Sequence, residues 1–226
     1  MSIIPTVREY KGKSLIEFPD DYVIIDIETT GFNPKNDEII EVGAVKVRGN
    51  EITSIFQSLI KPKNPISDYI SNLTGITNEM VIDASPEKEV LDSFISFVTD
   101  SVLIGHNVNF DINFLYDHCG EHLGHCFTNN FIDILGLLRN KAILFQNQDI
   151  MALCEKCAIR STNAHRALSD CLATNDLFQY LKSQHNPTAC LGKLDVLNFR
   201  SELGIKHPLY NKKCLIHKTG AEALVN

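Results

Sequence analysis

Tyr22-Val23-Ile24-Ile25-Asp26-Ile27 is a short apolar, β-branched run, which predicts a buried strand. Thr29 to Pro34 follows as a loop, punctuated by Gly31 and Asn33-Pro34. Residues 39–47 predict a second strand. Gly49-Asn50 separates it from residues 51–60, its expected hairpin partner, which Pro62 and Pro65 bring to an end. Two short helical pieces, 67–73 and 78–82, flank Thr74-Gly75-Ile76-Thr77. A longer helix is expected from Ser85-Pro86-Glu87, with Val90, Leu91, Phe94, Ile95 and Val98 as its apolar stripe. Residues 102–105 predict a strand, 110–119 a helix, and 131–134 a last strand leading into a helix through Leu138. Residues 149–157 and 165–181 predict two further helices.

Antiparallel strands come first, and strands and helices then alternate. That order predicts an α/β fold, a mixed sheet with helices on its faces. Beyond Ser183 the pattern weakens, broken by Asn186-Pro187, Gly192, Gly204 and His207-Pro208. The expected organisation is an extension over 1–19, a domain over 20–182, and a tail or linker over 183–226. The tail could open a second domain that the chain does not complete.

The chain has 226 residues, enough for one substantial core, and 44% of them are apolar, which excludes general disorder. A net charge of −7 argues against a protein that coats duplex DNA through counterion release. It leaves room for an enzyme whose divalent ions neutralise carboxylates where phosphate approaches. Seven cysteines without framework spacing predict reduced thiols in a cytosolic or nuclear compartment, and the expected location is cytoplasmic. No apolar run reaches the ~20 residues of a membrane span.

Three segments carry candidate chemistry. Asp26 and Glu28 stand at i and i+2 of a strand end, so both carboxylates point to one face while Ile27 turns to the core. Such oxygen ligands suit Mg²⁺ or Mn²⁺; alone, the pair also fits a solvated strand end. His106-Asn107 with Phe110-Asp111 lies where a strand passes into a helix, a site both rigid and accessible. Alone, Asp111 also fits a first-turn carboxylate favouring the helix dipole. His165 and Asp170 are five residues apart, about 140° around a helix. They converge only if His165 sits on the loop before the helix and Asp170 within its first turns. Histidine's titration near neutrality suits it to take a proton from water.

Together, Asp26-Ile27-Glu28-Thr29-Thr30-Gly31, Gly105-His106-Asn107 with Phe110-Asp111, and His165-Arg166-Ala167-Leu168-Ser169-Asp170 resemble the three motifs of the DEDDh 3′–5′ exonuclease family. That family includes the bacterial proofreading epsilon subunit of DNA polymerase III and ribonuclease T. The resemblance covers roughly Asp20 to Leu181 and implies a ribonuclease H-like fold with a mixed five-stranded sheet. It implies that Asp26, Glu28 and Asp170 hold one divalent ion, Mg²⁺ or Mn²⁺, and that Asp26 and Asp111 hold a second. His165 would act as base and a nucleoside 5′-monophosphate would leave. Thr29, Gly31, His106, Asn107 and Phe110 would line the terminal-nucleotide pocket. Ile76 would wedge against the terminal base, although a turn whose Ile packs inward is equally compatible with Leu73-Thr74-Gly75-Ile76-Thr77. Glu41 and Asp133 read as structural acids. The implied partners are single-stranded or frayed 3′ ends of nucleic acid, with a DNA polymerase or clamp by analogy and no membrane.

Other readings remain at this level. The same chemistry serves an exoribonuclease, since discrimination rests on the surroundings of the 2′-position. A non-catalytic interaction module would be expected to lose ligands, and none is lost. Between residues 118 and 126, three His and two Cys form a candidate Zn²⁺ patch, although their spacing matches no usual zinc pattern. Cys154 and Cys157 fall on an apolar helical stripe, as buried thiols do. Residues 207–216 bear a short resemblance to the opening strand of a BRCT domain.

Overall fold

A computed structural model of the chain describes residues 7–140, 150–157 and 165–185. The element order is β1 (Tyr22–Thr29), β2 (Ile39–Arg48), β3 (Glu51–Leu59), α1 (Asp68–Thr74), α2 (Asn78–Val81), α3 (Glu87–Val98), β4 (Leu103–Gly105), α4 (Asn109–Leu123), β5 (Phe131–Asp133), α5 (Ile134–Asn140), α6 (Ile150–Lys156) and α7 (Ala167–His185). The five strands make one sheet in the order β3-β2-β1-β4-β5. β1, β2 and β3 pair antiparallel, whereas β4 runs parallel to both β1 and β5, so the sheet is mixed as expected.

The period-2 alternation of β1 divides the core. Val23, Ile25 and Ile27 point to one face, where they meet Leu91 and Phe94 of α3 and Ile112, Phe114 and Leu115 of α4. Tyr22 and Ile24 point to the other, against Leu168, Cys171, Leu177 and Phe178 of α7. β1 is therefore buried on both sides, and each of its fully buried Ile side chains contributes about 1.5–3 kcal/mol. Asp26 and Glu28 continue the even-numbered set and so face the layer of α7.

Short segments beside the sheet obey local rules. Ser67 caps α1 by accepting the Ile70 amide at 3.3 Å, and Gly75 ends that helix at φ 70°, a left-handed conformation that suits glycine. Residues 7–19 are tied into the domain rather than hanging from it. The Leu15 amide donates to the Phe131 carbonyl of β5 and the Phe131 amide to the Lys13 carbonyl, Arg8 holds Asp117 through two hydrogen bonds, and Phe18 stacks on Phe178. α7 runs past the expected boundary at 182 to His185. The possible second domain and the 207–216 resemblance lie outside the described residues. No helix among the described residues is long and apolar enough to cross a membrane.

Candidate active site

β1 ends in a register irregularity between Glu28 and Thr29, where Glu28 pairs with Glu41 but Thr29 with Ile39. Such a bulge turns a strand end and re-aims its side chains. Asp26 and Glu28 project from this end, and Asp170 meets them from the start of α7. One ligating oxygen from each of the three lies within 4.8 Å of the others. Asp111 arrives from the opposite layer. It is buried in the first turn of α4, and its Oδ1 accepts the Ile27 amide at 3.0 Å, between the two β1 carboxylates. Four carboxylates from three distant segments of the sequence thus share one end of the sheet.

Their electrostatics follow from that crowding. Burial, then the charges of Asp111, Asp170, Glu28 and Glu41, hold the Asp26 carboxyl well above its ordinary value. Burial and the same group of acids push Glu28 up to about 8, against a smaller opposing pull from Arg166. Burial pushes Asp111 up to about 8 even though its own amide and that of Ile27 favour the anion. Carboxylates so arranged ionise together only beside added positive charge. The donor set is all oxygen, the chemistry of a hard divalent cation such as Mg²⁺ or Mn²⁺.

His165 stands just before α7, exposed and at φ 66°, and its amide donates to Asp170 Oδ2 at 3.0 Å. His165 therefore stands on the loop side of the helix start, with its backbone tied to Asp170. Residues 158–164, which precede it, lie outside the described residues.

The helix start is held by an acid that the sequence marked only as structural. Glu41 is fully buried on β2, directly opposite Glu28. Its carboxylate accepts from Arg166 Nε at 3.1 Å and Arg166 NH2 at 2.8 Å, from the Ala167 amide at 3.1 Å, and from Gln57 Nε2 at 2.8 Å. The Glu41 hydrogen bonds hold the Arg166 guanidinium above its ordinary value, outweighing burial. Gly43 lets α7 come this close, since a Cβ there would lie 2.6 Å from the Ala167 carbonyl carbon and the Leu168 amide. Asp133 has a comparable office at the other end of the site. Its Oδ1 accepts the amides of Asn107, at φ 55°, and Leu135, both at 3.0 Å, bracing the turn into α4. Nothing in a one-dimensional pattern separates Glu41 from a surface acid except its setting within an apolar run.

The residues expected to line a nucleotide pocket differ in exposure. Thr29 is buried and its hydroxyl donates to the Gly31 carbonyl at 2.6 Å. His106 and Phe110 are half-buried, Asn107 is exposed, and Phe110 makes an edge contact with the exposed Phe32. Ile76 is different. It is 0% exposed and packs with Ile40, Ile66, Ile70 and Val81, so it is not a wedge open to a base. The αL turn at Gly75 directs it inward, and Leu73, 40% exposed, is the apolar side chain of that segment open to solvent. The Zn²⁺ patch also needs revision. Cys119 is buried in the core and Cys126 donates to the Tyr116 hydroxyl at 3.5 Å, while His118 and His122 meet Glu87 of α3. Cys154 is buried, and its thiol donates to the Ala173 carbonyl at 3.8 Å.

A family model described as exonuclease, of the RNase T type, matches residues 23–178. The chain is similar to a DNA polymerase III of PolC type from Caldanaerobacter subterraneus, 34% identical over 91% of this chain and 15% of that protein. It is also similar to one from Thermotoga maritima, 38% identical over 77% of this chain and 13% of that protein. It therefore spans only a small part of the curated relatives that it matches. Among solved structures, the zinc-bound complex of Escherichia coli ExoI with single-stranded DNA superposes with a TM-score of 0.65 at 18% identity. That match covers 75% of this chain and 42% of the other. Exonuclease X in complex with 5′-overhanging duplex DNA superposes with a TM-score of 0.57 at 24% identity, over 73% of this chain and 93% of the other. These likenesses identify the fold as ribonuclease H-like.

Proposed function

The chain belongs to the RNase T exonuclease family, and from that membership we propose that it hydrolyses DNA from the 3′ end, releasing nucleoside 5′-monophosphates. The observation that carries this reading is the meeting of Asp26, Glu28 and Asp170 within 4.8 Å, with Asp111 bonded to the backbone between the first two. Asp26, Glu28 and Asp170 would hold one divalent cation, and Asp26 with Asp111 a second. When bound, a pair of Mg²⁺ or Mn²⁺ ions supplies charge stabilisation for in-line displacement at phosphorus.

The remaining steps belong to the chain's own residues. His165 takes the proton of the attacking water, a role favoured by its exposure and by its backbone amide being tied to Asp170. Glu41 and Arg166 position the start of α7, so that His165 and Asp170 present together. Thr29, Gly31, His106, Asn107 and Phe110 line the terminal nucleotide, and Leu73 offers the apolar contact that Ile76 does not. The 3′ end is received frayed or single-stranded, because a terminal phosphodiester reaches buried carboxylates only when its strand leaves the duplex. The domain over 20–182 acts in the cytoplasm in company with a DNA polymerase or clamp, a role favoured by its similarity to segments of polymerase III proteins. Residues 183–226 are read as a tail or linker beyond it.

Hydrolysis of a 3′-labelled oligonucleotide tests the reading. Single-stranded DNA should be degraded with Mg²⁺ or Mn²⁺ and left intact in EDTA, and Asp26→Asn should remove nearly all turnover while the fold persists. Full activity in Asp26→Asn would contradict the mechanism. Faster degradation of matched RNA would make the protein an exoribonuclease.

A further inference from the structure

A second cluster of ligands lies outside the carboxylate site and shares no residue with it. Glu87 opens α3; His118 and His122 stand one turn apart on one face of α4. One ligating atom from each lies within 4.8 Å of the others. The three side chains are 11%, 7% and 19% exposed, so the cluster is largely withdrawn from water while His122 keeps a path to it.

The hydrogen bonds define which atoms face the centre. His118 Nε2 lies 3.0 Å from the Pro34 carbonyl oxygen, which can only accept, so Nε2 carries a hydrogen. His118 Nδ1 then faces Glu87 Oε1 at 2.5 Å, and His122 Nε2 lies 3.1 Å from Glu87 Oε2. Two imidazole nitrogens and a carboxylate therefore converge on one space. Lone pairs do not converge at such distances unless something positive lies between them, either a proton or a cation.

We propose that Glu87, His118 and His122 form a zinc-binding site, separate from the carboxylate centre, that clamps α3 to α4. Two His and one Glu are a recognised ligand set for Zn²⁺, with a fourth position left to water. Nitrogen donors favour Zn²⁺ over Mg²⁺. The Nε2–H bond to Pro34 is the outer contact a ligating imidazole makes, since it fixes the tautomer and turns Nδ1 to the metal. Tetrahedral ligands at ~2.0–2.1 Å lie farther apart than 2.5 Å, so Glu87 withdraws slightly from His118 on binding. The neighbouring thiols take no part: Cys119 is in the core and Cys126 bonds Tyr116. Because Pro34 belongs to the loop after β1, occupancy also steadies the segment carrying Phe32, beside Phe110.

The competing occupant is a proton. Burial opposes charge on His118, but the hydrogen bond and charge of Glu87 outweigh it and raise its pKa. The test must therefore count metal. The full chain is loaded with one equivalent of Zn²⁺ in millimolar Mg²⁺, which competes for the oxygen site, then desalted and measured by plasma mass spectrometry. The wild type and Asp26→Asn should each retain about one zinc per chain, and His118→Gln and His122→Gln should retain none. His122→Gln, at the more exposed position, guards against misfolding, and its melting temperature in chelator should match that of the wild type. Cobalt should give the intense visible bands of a four-coordinate ion in the wild type and Asp26→Asn only. Zinc retained equally by the two glutamine variants, or absent from the wild type, would overturn the proposal. A zinc lost with Asp26→Asn but kept in His122→Gln would assign the metal to the carboxylate centre instead.

Discussion

Arg166→Ala removes the cation that balances a carboxylate with no exposure. Glu41 takes two bonds from the guanidinium, one from the Ala167 amide and one from Gln57, so the variant keeps half its donors and loses its counter-charge. Removing one partner of a buried ion pair costs about 3–5 kcal/mol. The Arg166 side chain is 32% exposed, and the remaining donors still serve the acid, so the loss should fall near the lower bound, about 3 kcal/mol. For a domain of this size that lowers the melting temperature by about 6–12 °C. Glu41→Gln should also destabilise, because its amide nitrogen faces two donors whichever way it turns. The double variant leaves no buried charge and should recover about 1–2 kcal/mol relative to the sum of the single losses. Urea and thermal unfolding at saturating Mg²⁺ measure these values. Turnover should fall in parallel, since Arg166 lies between His165 and Asp170. A loss under about 1 kcal/mol for Arg166→Ala, or a double variant showing simple additivity, would refute the reasoning.

Glu28 and Asp111 are both pushed up to about 8, from ordinary values of 4.5 and 3.8. The folded chain thus binds these protons more tightly than the unfolded chain. The resulting stabilisation is complete at low pH and is lost as pH rises from about 4 toward 8. In EDTA the melting temperature should fall across that window, and saturating Mg²⁺ should flatten the slope; a chelated profile that climbs with pH would contradict the carboxylate crowding. His165→Ala should lower turnover about 10²–10⁴-fold with little change in the Mg²⁺ concentration needed for half-activity. Equal losses of rate and metal affinity would make His165 a ligand support rather than a base. Ile76→Ala should cost about 2–5 kcal/mol in unfolding experiments with KM for a frayed end unchanged. A raised KM without loss of stability would restore Ile76 to the substrate path.

Much of this protein is written in short stretches of its chain. The β-branched run at 22–27, the Gly49-Asn50 turn and the stripe of Val90, Leu91, Phe94 and Val98 each carry their element locally, because periodicity and turn chemistry act over a few residues. Asp26 and Glu28 share a face by strand geometry alone, and the spacing of His165 to Asp170 lets the two converge only if His165 precedes the helix. Packing decided the rest. Glu41 became the anchor of α7 only because β2 registers it against Glu28 and Gly43 admits the helix beside it. Ile76 turned inward because a pocket of Ile40, Ile66 and Ile70 was there to receive it. His118 and His122 found Glu87, rather than the nearby cysteines, because α3 lies against α4. Such pairings join residues dozens of positions apart, and their free energy depends on how whole elements dock, which no local window of sequence contains.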